Sequence, residues 1–440
     1  VAKLLFLLLL VVSGAAAQAQ GSVSIPNQGA VLHFIHGNWF DGTHFEPADF
    51  YAEGGYLTQH PDERRAYQTV DLQGGFIVPP YGDAHEHNFD NVDITPRVTA
   101  AYLRDGIFYA QGMTDVAGGA NTVKAAGMVD TPQTVEVTYA HGGLTGVNGH
   151  PKEVYESLAN GFYYPQTDAQ RKLVIEGSKQ EGQAYWQIAT LADLNAKWPA
   201  ILAAKPDLIK VYLLTSEHFK PATASDPQLA KGIDPALVAP IVKLAHACGL
   251  KVAAHIDTAY DFHVAVVAGV DEMGHLPGYG LGATEDPSVY RLAEADIALA
   301  ARQHVAVQPT AELAAEGQPP AELLARRRAL QIDNLRRLKA AGIRILVGSD
   351  RYGSDSRKEA DYLDSLGLWT NLEMLRMWAV ETPETIFPGR RIGALKPGYE
   401  ASFLVLKANP LVDWSATHQI ADRWKQGEHL DRPSANAAAN

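Results

Sequence analysis

His85 and His87 stand one residue apart in PPYGDAHEHNFD, residues 79–90, just behind the apolar run Phe76-Ile77-Val78. Side chains at i and i+2 of a strand share a face, so both imidazoles can reach one metal ion. In a chain with 16 histidines, one such pair is weak evidence. It gains weight from further groups placed in or at the ends of other apolar runs. Lys210 lies within DLIKVYL (207–213), His255 closes LKVAAH (250–255), His275 closes GVDEMGH (269–275) and Asp350 closes GIRILVGSD (342–350). Imidazole and carboxylate are sound ligands for zinc and similar divalent ions. A charge at the end of an apolar strand needs a partner or a metal, which favours Asp350 over Asp355, farther into its loop. As an ammonium, Lys210 would repel a metal. After reaction with carbon dioxide it becomes a carbamate, N6-carboxylysine, with negative charge and two oxygens that can bridge two ions. The six residues then suit a centre of two divalent ions, with zinc as the default.

Tyr212, His141 and His150 are softer candidates for substrate contact, followed by His218 and Arg351. His150 comes after GGLTGVNG, a stretch expected to form a mobile substrate loop. Glu86, between two ligand candidates, is expected to point away as a structural or solvated carboxylate.

The elements that must position these residues alternate in type. Strand candidates FIVPP (76–80), MTDVAG (113–118), TVEVTYA (134–140) and HVAVQP (304–309) join the four runs above to give eight. Helical stretches separate them, among them PPAELLARRRALQIDNLRRLKAAG, with Pro at its start and Gly at its stop. Eight β-then-α repeats over about 300 residues predict an α/β fold, a closed (β/α)8 TIM barrel over 75–390, with its chemistry at the C-terminal ends of the strands. No glycine-rich dinucleotide loop opens the first unit, which weighs against a Rossmann fold. Residues 28–74 and 391–432 read as short strands, so both ends of the chain are expected to build one small β-sandwich domain beside the barrel.

The 440 residues, 46% of them apolar, can bury a large core. A net charge of −13 argues against nucleic-acid binding. The start VAKLLFLLLLVVSGAAAQAQ combines Lys3, a short apolar core and Ala17-Gln18-Ala19, which predicts a signal peptide over 1–19 and a periplasmic or secreted protein with no stable membrane insertion after cleavage. The single cysteine, Cys248, permits no intramolecular disulfide. The expected partner is a small-molecule substrate, and barrels of this size often self-associate into homo-oligomers.

The ordered set resembles the metal-dependent amidohydrolase superfamily, which includes dihydroorotases, hydantoinases, imidazolonepropionase and prolidase-like enzymes. The family's His-x-His after strand 1 falls on His85 and His87. Its carboxylated lysine falls on Lys210, its strand 5 and strand 6 histidines on His255 and His275, and its strand 8 aspartate on Asp350. The likeness runs from about Gly37 to Trp414. It departs at Pro79-Pro80-Tyr81-Gly82-Asp83-Ala84, where the family usually has Pro-Gly-Leu-Ile-Asp, and at Ser402, where it often has Asp. The resemblance implies hydrolysis of a C–N bond in a dipeptide-like or non-peptide amide, with Asp350 moving the proton. Lactonase, phosphotriesterase-like or deaminase chemistry, and a non-catalytic periplasmic binding protein, are the competing expectations.

Overall fold

The computed structural model describes residues 30–223, 229 and 231–430. The expected signal peptide and the tail beyond Arg432 lie outside them. Among the described residues the strands run, in chain order, β1 (Val31–Phe40), β2 (Phe45–Glu53), β3 (Tyr56–Thr58), β4 (Tyr67–Asp71), β5 (Phe76–Val78), β6 (Tyr81–Glu86), β7 (Ile107–Gly112), β8 (Glu136–Tyr139), β9 (Gly143–Thr145), β10 (Tyr185–Gln187), β11 (Leu208–Tyr212), β12 (Lys251–His255), β13 (Glu272–Gly274), β14 (Ala306–Gln308), β15 (Arg344–Ile345), β16 (Phe403–Leu406), β17 (Ile420–Lys425) and β18 (Glu428–His429).

One mixed sheet takes strands from both ends, in the order β18-β17-β16-β5-β1-β2-β3, with β4 also paired to β1. Phe34 of β1 and Trp424 of β17 are three strand spacings apart in that order, about 14 Å on a flat sheet. Their ring centroids nevertheless lie 4.9 Å apart, and Phe34 meets Phe403 at 5.0 Å. The sheet therefore curls over its own aromatic core. Where two facing sheets of a sandwich were expected, there is one sheet folded on itself.

The remaining strands pair in parallel, as β6-β7-β8 and as β10-β9-β11-β12-β13-β14-β15. Their residues are nearly all buried, as befits parallel strands covered on both faces. Backbone bonds also join the two groups. Ala84 N donates to Val347 O (2.8 Å) and Asp350 N to His85 O (2.6 Å), while Asp207 N donates to Tyr139 O (2.8 Å). The molecule is thus an α/β fold with a helix between most successive parallel strands.

Two strand assignments from the sequence are corrected. Phe76–Val78 pairs with β1 and β16 in the mixed sheet, and the strand leading to His85 is β6. Pro79-Pro80 separates them, because proline has no N–H for a ladder. The second parallel strand is Ile107–Gly112, entirely buried, whereas residues 113–118 form a bend and the start of the helix Ala117–Ala125. The other runs contain strands as expected, and the long helix spans Ala321–Ala340. The glycine-rich GGLTGVNG is not a free loop. Gly143–Thr145 pairs with β10 and β11, and a Cβ on Gly146 would stand 2.5 Å from Gly232 O. Those glycines permit close backbone approach.

Candidate metal and active site

Parallel register brings the site residues level. Tyr212 pairs with His255, and His255 with Gly274, so His275 emerges just beyond. Gly274 leaves room here for two site residues, since a Cβ would lie 2.8 Å from Lys210 Nζ and 3.1 Å from His85 Cε1. Gly348 is tight in the same way, 2.7 Å from His85 Cβ. His275 (φ 76°) and Asp350 (φ 48°) both sit in the left-handed region. Such backbone costs about 1–3 kcal/mol for a non-glycine residue and clusters at functional sites.

Asp350 is the hub. Its Oδ1 lies 3.0 Å from His87 Nε2 and 3.4 Å from His85 Nε2, and its Oδ2 lies 3.7 Å from His275 Nδ1. The rings of His85 and His275 are 4.9 Å apart, and those of His255 and His275 4.3 Å. Among the described residues, His85, His87 and Asp350 place ligand atoms close enough together to share one ion. Burial would push the Asp350 carboxyl up, but the His85, His275 and His87 rings outweigh it and hold the group well below the carboxylate range. Burial pushes His85 and His275 well below the imidazole range, the direction that favours the neutral form a metal ligand needs.

Three of the four imidazoles are tethered through one nitrogen. His87 Nδ1 meets Thr114 O (2.9 Å), His255 Nε2 meets Asp257 Oδ1 (3.2 Å) and His275 Nδ1 meets Thr310 Oγ1 (2.7 Å). Metal-binding histidines are characteristically held this way, leaving the second nitrogen free to coordinate. Lys210 Nζ is buried with no hydrogen-bond partner, and His85 Nδ1 is likewise unpaired. Burial pushes the Lys210 ammonium down to about 8, against the pull of Asp350 and Glu272. Glu272 sits in a polar layer of the parallel strands, bonded by Gln111 (3.0 Å), Gln308 (2.7 Å) and Lys251 (3.1 Å).

His85, His87, His150, Tyr212, His255, His275 and Asp350 line one cavity of about 670 Å³. Lys210 lies beside it, its Nζ 5.5 Å from the Tyr212 ring centroid. His150 bonds Glu153 through Nδ1, and its ring lies 5.0 Å from Tyr212. Burial alone would lower the His150 pKa, but Glu153 raises it. Arg351 reaches the wall with its guanidinium already bonded to Glu312 (2.6 Å). His141 does not join them. It stacks on Tyr139 (centroids 5.4 Å), and burial lowers its pKa to about 4. His218 also lies off the cavity wall, in the short helix Ser216–His218. Glu86 is buried and accepts from Asn88 N, a structural carboxylate and not a solvated one.

Sequence reading missed Asp257, Tyr279 and Thr310. Tyr279 Oη donates to Asp257 Oδ1 (2.8 Å), and its ring lies 5.1 Å from His275. A signal for Asp257 was present, because His255-Ile256-Asp257 repeats the spacing of His85 and His87. Thr310 and Tyr279 come from separate loops and left no such sign.

Solved structures share this fold. An ochratoxinase from A. niger superposes with a TM-score of 0.69 at 16% identity, covering 93% of this chain and 97% of that one. A prolidase complexed with N-methylphosphonate-L-proline gives 0.64 at 17% identity (92% and 100%). A Xaa-Pro dipeptidase with bound methionine in its active site gives 0.65 at 16% identity (91% and 99%). No curated protein matches by sequence. The model of the amidohydrolase family matches residues 209–429, half of the chain, which takes in Lys210, His255, His275 and Asp350. The chain belongs to the amidohydrolase family and is a hydrolase, with C–N bonds as the bonds its family points to.

Proposed function

We propose that this protein is a metal-dependent hydrolase of C–N bonds in small, dipeptide-like or non-peptide amides, acting at the mouth of a closed (β/α)8 barrel over 75–390. The mixed sheet from 28–74 and 391–432 forms its companion domain, and the leader-like start of the sequence supports export to the periplasm or medium. The backbone bonds joining β6 to the segment after β15 support closure.

The observation that carries the reading is the buried, unpartnered Lys210 Nζ beside three imidazoles, those of His87, His255 and His275, each tethered through one nitrogen. His85, His87, His255, His275 and Asp350 would hold two divalent ions, zinc being our assignment, with Lys210 as N6-carboxylysine between them. Such ions supply Lewis acidity and make water acidic enough to be a nucleophile near neutral pH. Asp350, held ionised and so able to accept, takes a proton from the attacking water and returns it to the leaving nitrogen. Amide and water thus become acid and amine. Tyr212 and His150 stand on the wall to orient the substrate.

The test is elemental analysis of the purified protein and of Lys210→Ala. About two ions per chain, falling to one or none in the variant, is the expected result. At most one ion, unchanged by the substitution, would remove the carbamate bridge and turn the search to mononuclear chemistry such as deamination. No metal after loading with zinc or manganese and bicarbonate would overturn the reading.

A further inference from the structure

The proposal concerns what the cavity admits, and it rests on the hydrolase reading above. Large hydrophobic side chains scattered singly over a surface need no explanation, but a contiguous patch does. Tyr163, Tyr164 and Tyr352 are 54%, 44% and 42% exposed, and all three line the cavity that holds the histidines. They form a continuous series of rings. Tyr352 lies 5.8 Å from His87, Tyr163 lies 6.4 Å from Tyr352, and Tyr164 lies 4.6 Å from Tyr163. The last two contacts are near perpendicular, at 83° and 82°. Edge-to-face packing leaves ring faces open to a further ring. The series is built from two separate segments. Tyr163 and Tyr164 follow the helix Lys152–Ala159, and Tyr352 follows Asp350 by two residues. Their convergence leaves aromatic surface in water, which core packing does not require.

The same cavity presents one uncommitted cation. Arg351 is tied to Glu312 at 2.6 Å and Glu316 at 3.6 Å. Lys358 also lines the wall, is exposed, and has no ion pair or hydrogen bond among the described residues. It sits in the first turn of the helix Arg357–Ser365, where the helix dipole disfavours positive charge and favours an anion.

We infer that the substrate carries an aromatic ring and a carboxylate flanking the scissile C–N bond, the ring received by Tyr163, Tyr164 and Tyr352 and the carboxylate by Lys358. The class is an N-acylated aromatic amino acid, or an N-aroyl amino acid.

The experiment measures kcat/KM on the metal-loaded full chain for N-acetylphenylalanine and N-benzoylalanine. N-acetylalanine lacks the ring, and the carboxamide forms of the first two lack the acid. At least one ring-and-acid amide should exceed both its ring-less and acid-less counterparts by about tenfold or more. The double variant Tyr163→Ala, Tyr352→Ala should erase the ring ratio, and Lys358→Met the acid ratio. Equal rates with and without the ring, or ratios that survive the substitutions, would overturn the inference while leaving the hydrolase reading intact. Binding of 3-phenylpropanoate against propanoate and 3-phenylpropanamide, by calorimetry, reads the subsite without turnover. If none of these amides is cleaved, this binding comparison decides the subsite: no preference for the aromatic acid overturns the inference, while the metal analysis above decides the hydrolase reading.

Discussion

The two most buried lysines among the described residues, Lys425 at 0% and Lys210 at 1% exposure, are treated in opposite ways. Lys425, on β17, spends all three donors. It bonds Thr131 O, Thr134 O and Glu136 Oε1, the last at 2.8 Å. Arg390 then ties Glu136 (3.2 Å) to Glu400 (2.6 Å). This knot joins the mixed sheet to β8 and to the segment that follows the last helix. Lys210, on β11, has none of its donors met. Leaving a buried donor unmade costs about 1–3 kcal/mol, more for a charge. A fold that satisfies one buried lysine fully, and leaves the other bare among histidines, keeps the second for chemistry. The same contrast separates a charge that holds elements together from one that awaits a ligand.

The largest expected effect breaks the comparison at its open end. Lys210→Met should lower kcat by about a thousandfold, the several kcal/mol that metal chemistry supplies. In the metal-stripped protein the same substitution should leave the unfolding free energy unchanged or raised, because an unpaired buried charge is gone. Lys425→Met should do the reverse. It should cost about 3 kcal/mol of stability in denaturant titrations, by removing one partner of a buried network, while the number of ions per chain stays the same. If Lys210→Met proved the more destabilising of the two without metal, the distinction drawn here would collapse.

A pH titration sharpens the same pair. The Lys210 ammonium has a folded pKa of about 8, below the ordinary lysine value of 10.5. Between those two values the unfolded chain binds more protons than the folded one, so stability rises with pH. Below about pH 8 both states are protonated and the burden of the buried charge is present in full. Metal-stripped, carbonate-free protein should therefore gain stability from about pH 8 to pH 10.5 relative to Lys210→Met. Parallel curves for the two proteins across that window would show that Lys210 is not held as described.

How much of this could be read in advance follows from where each residue stands. Lys210, His255, His275 and Asp350 each interrupt or end an apolar run, so sequence alone exposes them and their order. His85 and His87 were found, but the strand carrying them was placed one unit early, because nothing short of the Pro79-Pro80 break separates β5 from β6 in composition. Ile107–Ala110 reads as a short continuous apolar run, which periodicity cannot tell from buried helix. His141 shares residue type and neighbourhood with the true wall residues, and only the side on which its ring stacks excludes it. Tyr163, Tyr164, Tyr352 and Lys358 lie on loops and a helix start that meet only in three dimensions, where local pattern carries no signal.

The smallest expected effect concerns the tethers. Asp257 and Asp361 each accept from a histidine and from a second donor. Asp257 holds His255 (3.2 Å) and Tyr279 (2.8 Å), and Asp361 holds His418 (2.8 Å) and Trp414 (3.2 Å). The two groups look alike as hydrogen-bond geometry, but only the first histidine faces the cavity. Burial would raise the Asp257 carboxyl, yet the hydrogen bonds from His255 and Tyr279 help hold it down at about 2, so it remains an acceptor throughout the working range. Substituting a carboxylate that orients a metal-binding imidazole weakens metal affinity by about 10–100-fold. Asp257→Asn should do so in competition with a chromophoric chelator, and Tyr279→Phe should move affinity in the same direction by less, since it removes only one bond to that carboxylate. Asp361→Asn should leave affinity where it was. A cobalt-substituted protein gives a second readout, because a reoriented His255 shifts the visible absorption while a merely loosened fold does not. If Asp257→Asn and Asp361→Asn behave alike in both measurements, Asp257 is a structural partner like its counterpart, and His255 needs no orienting group to bind.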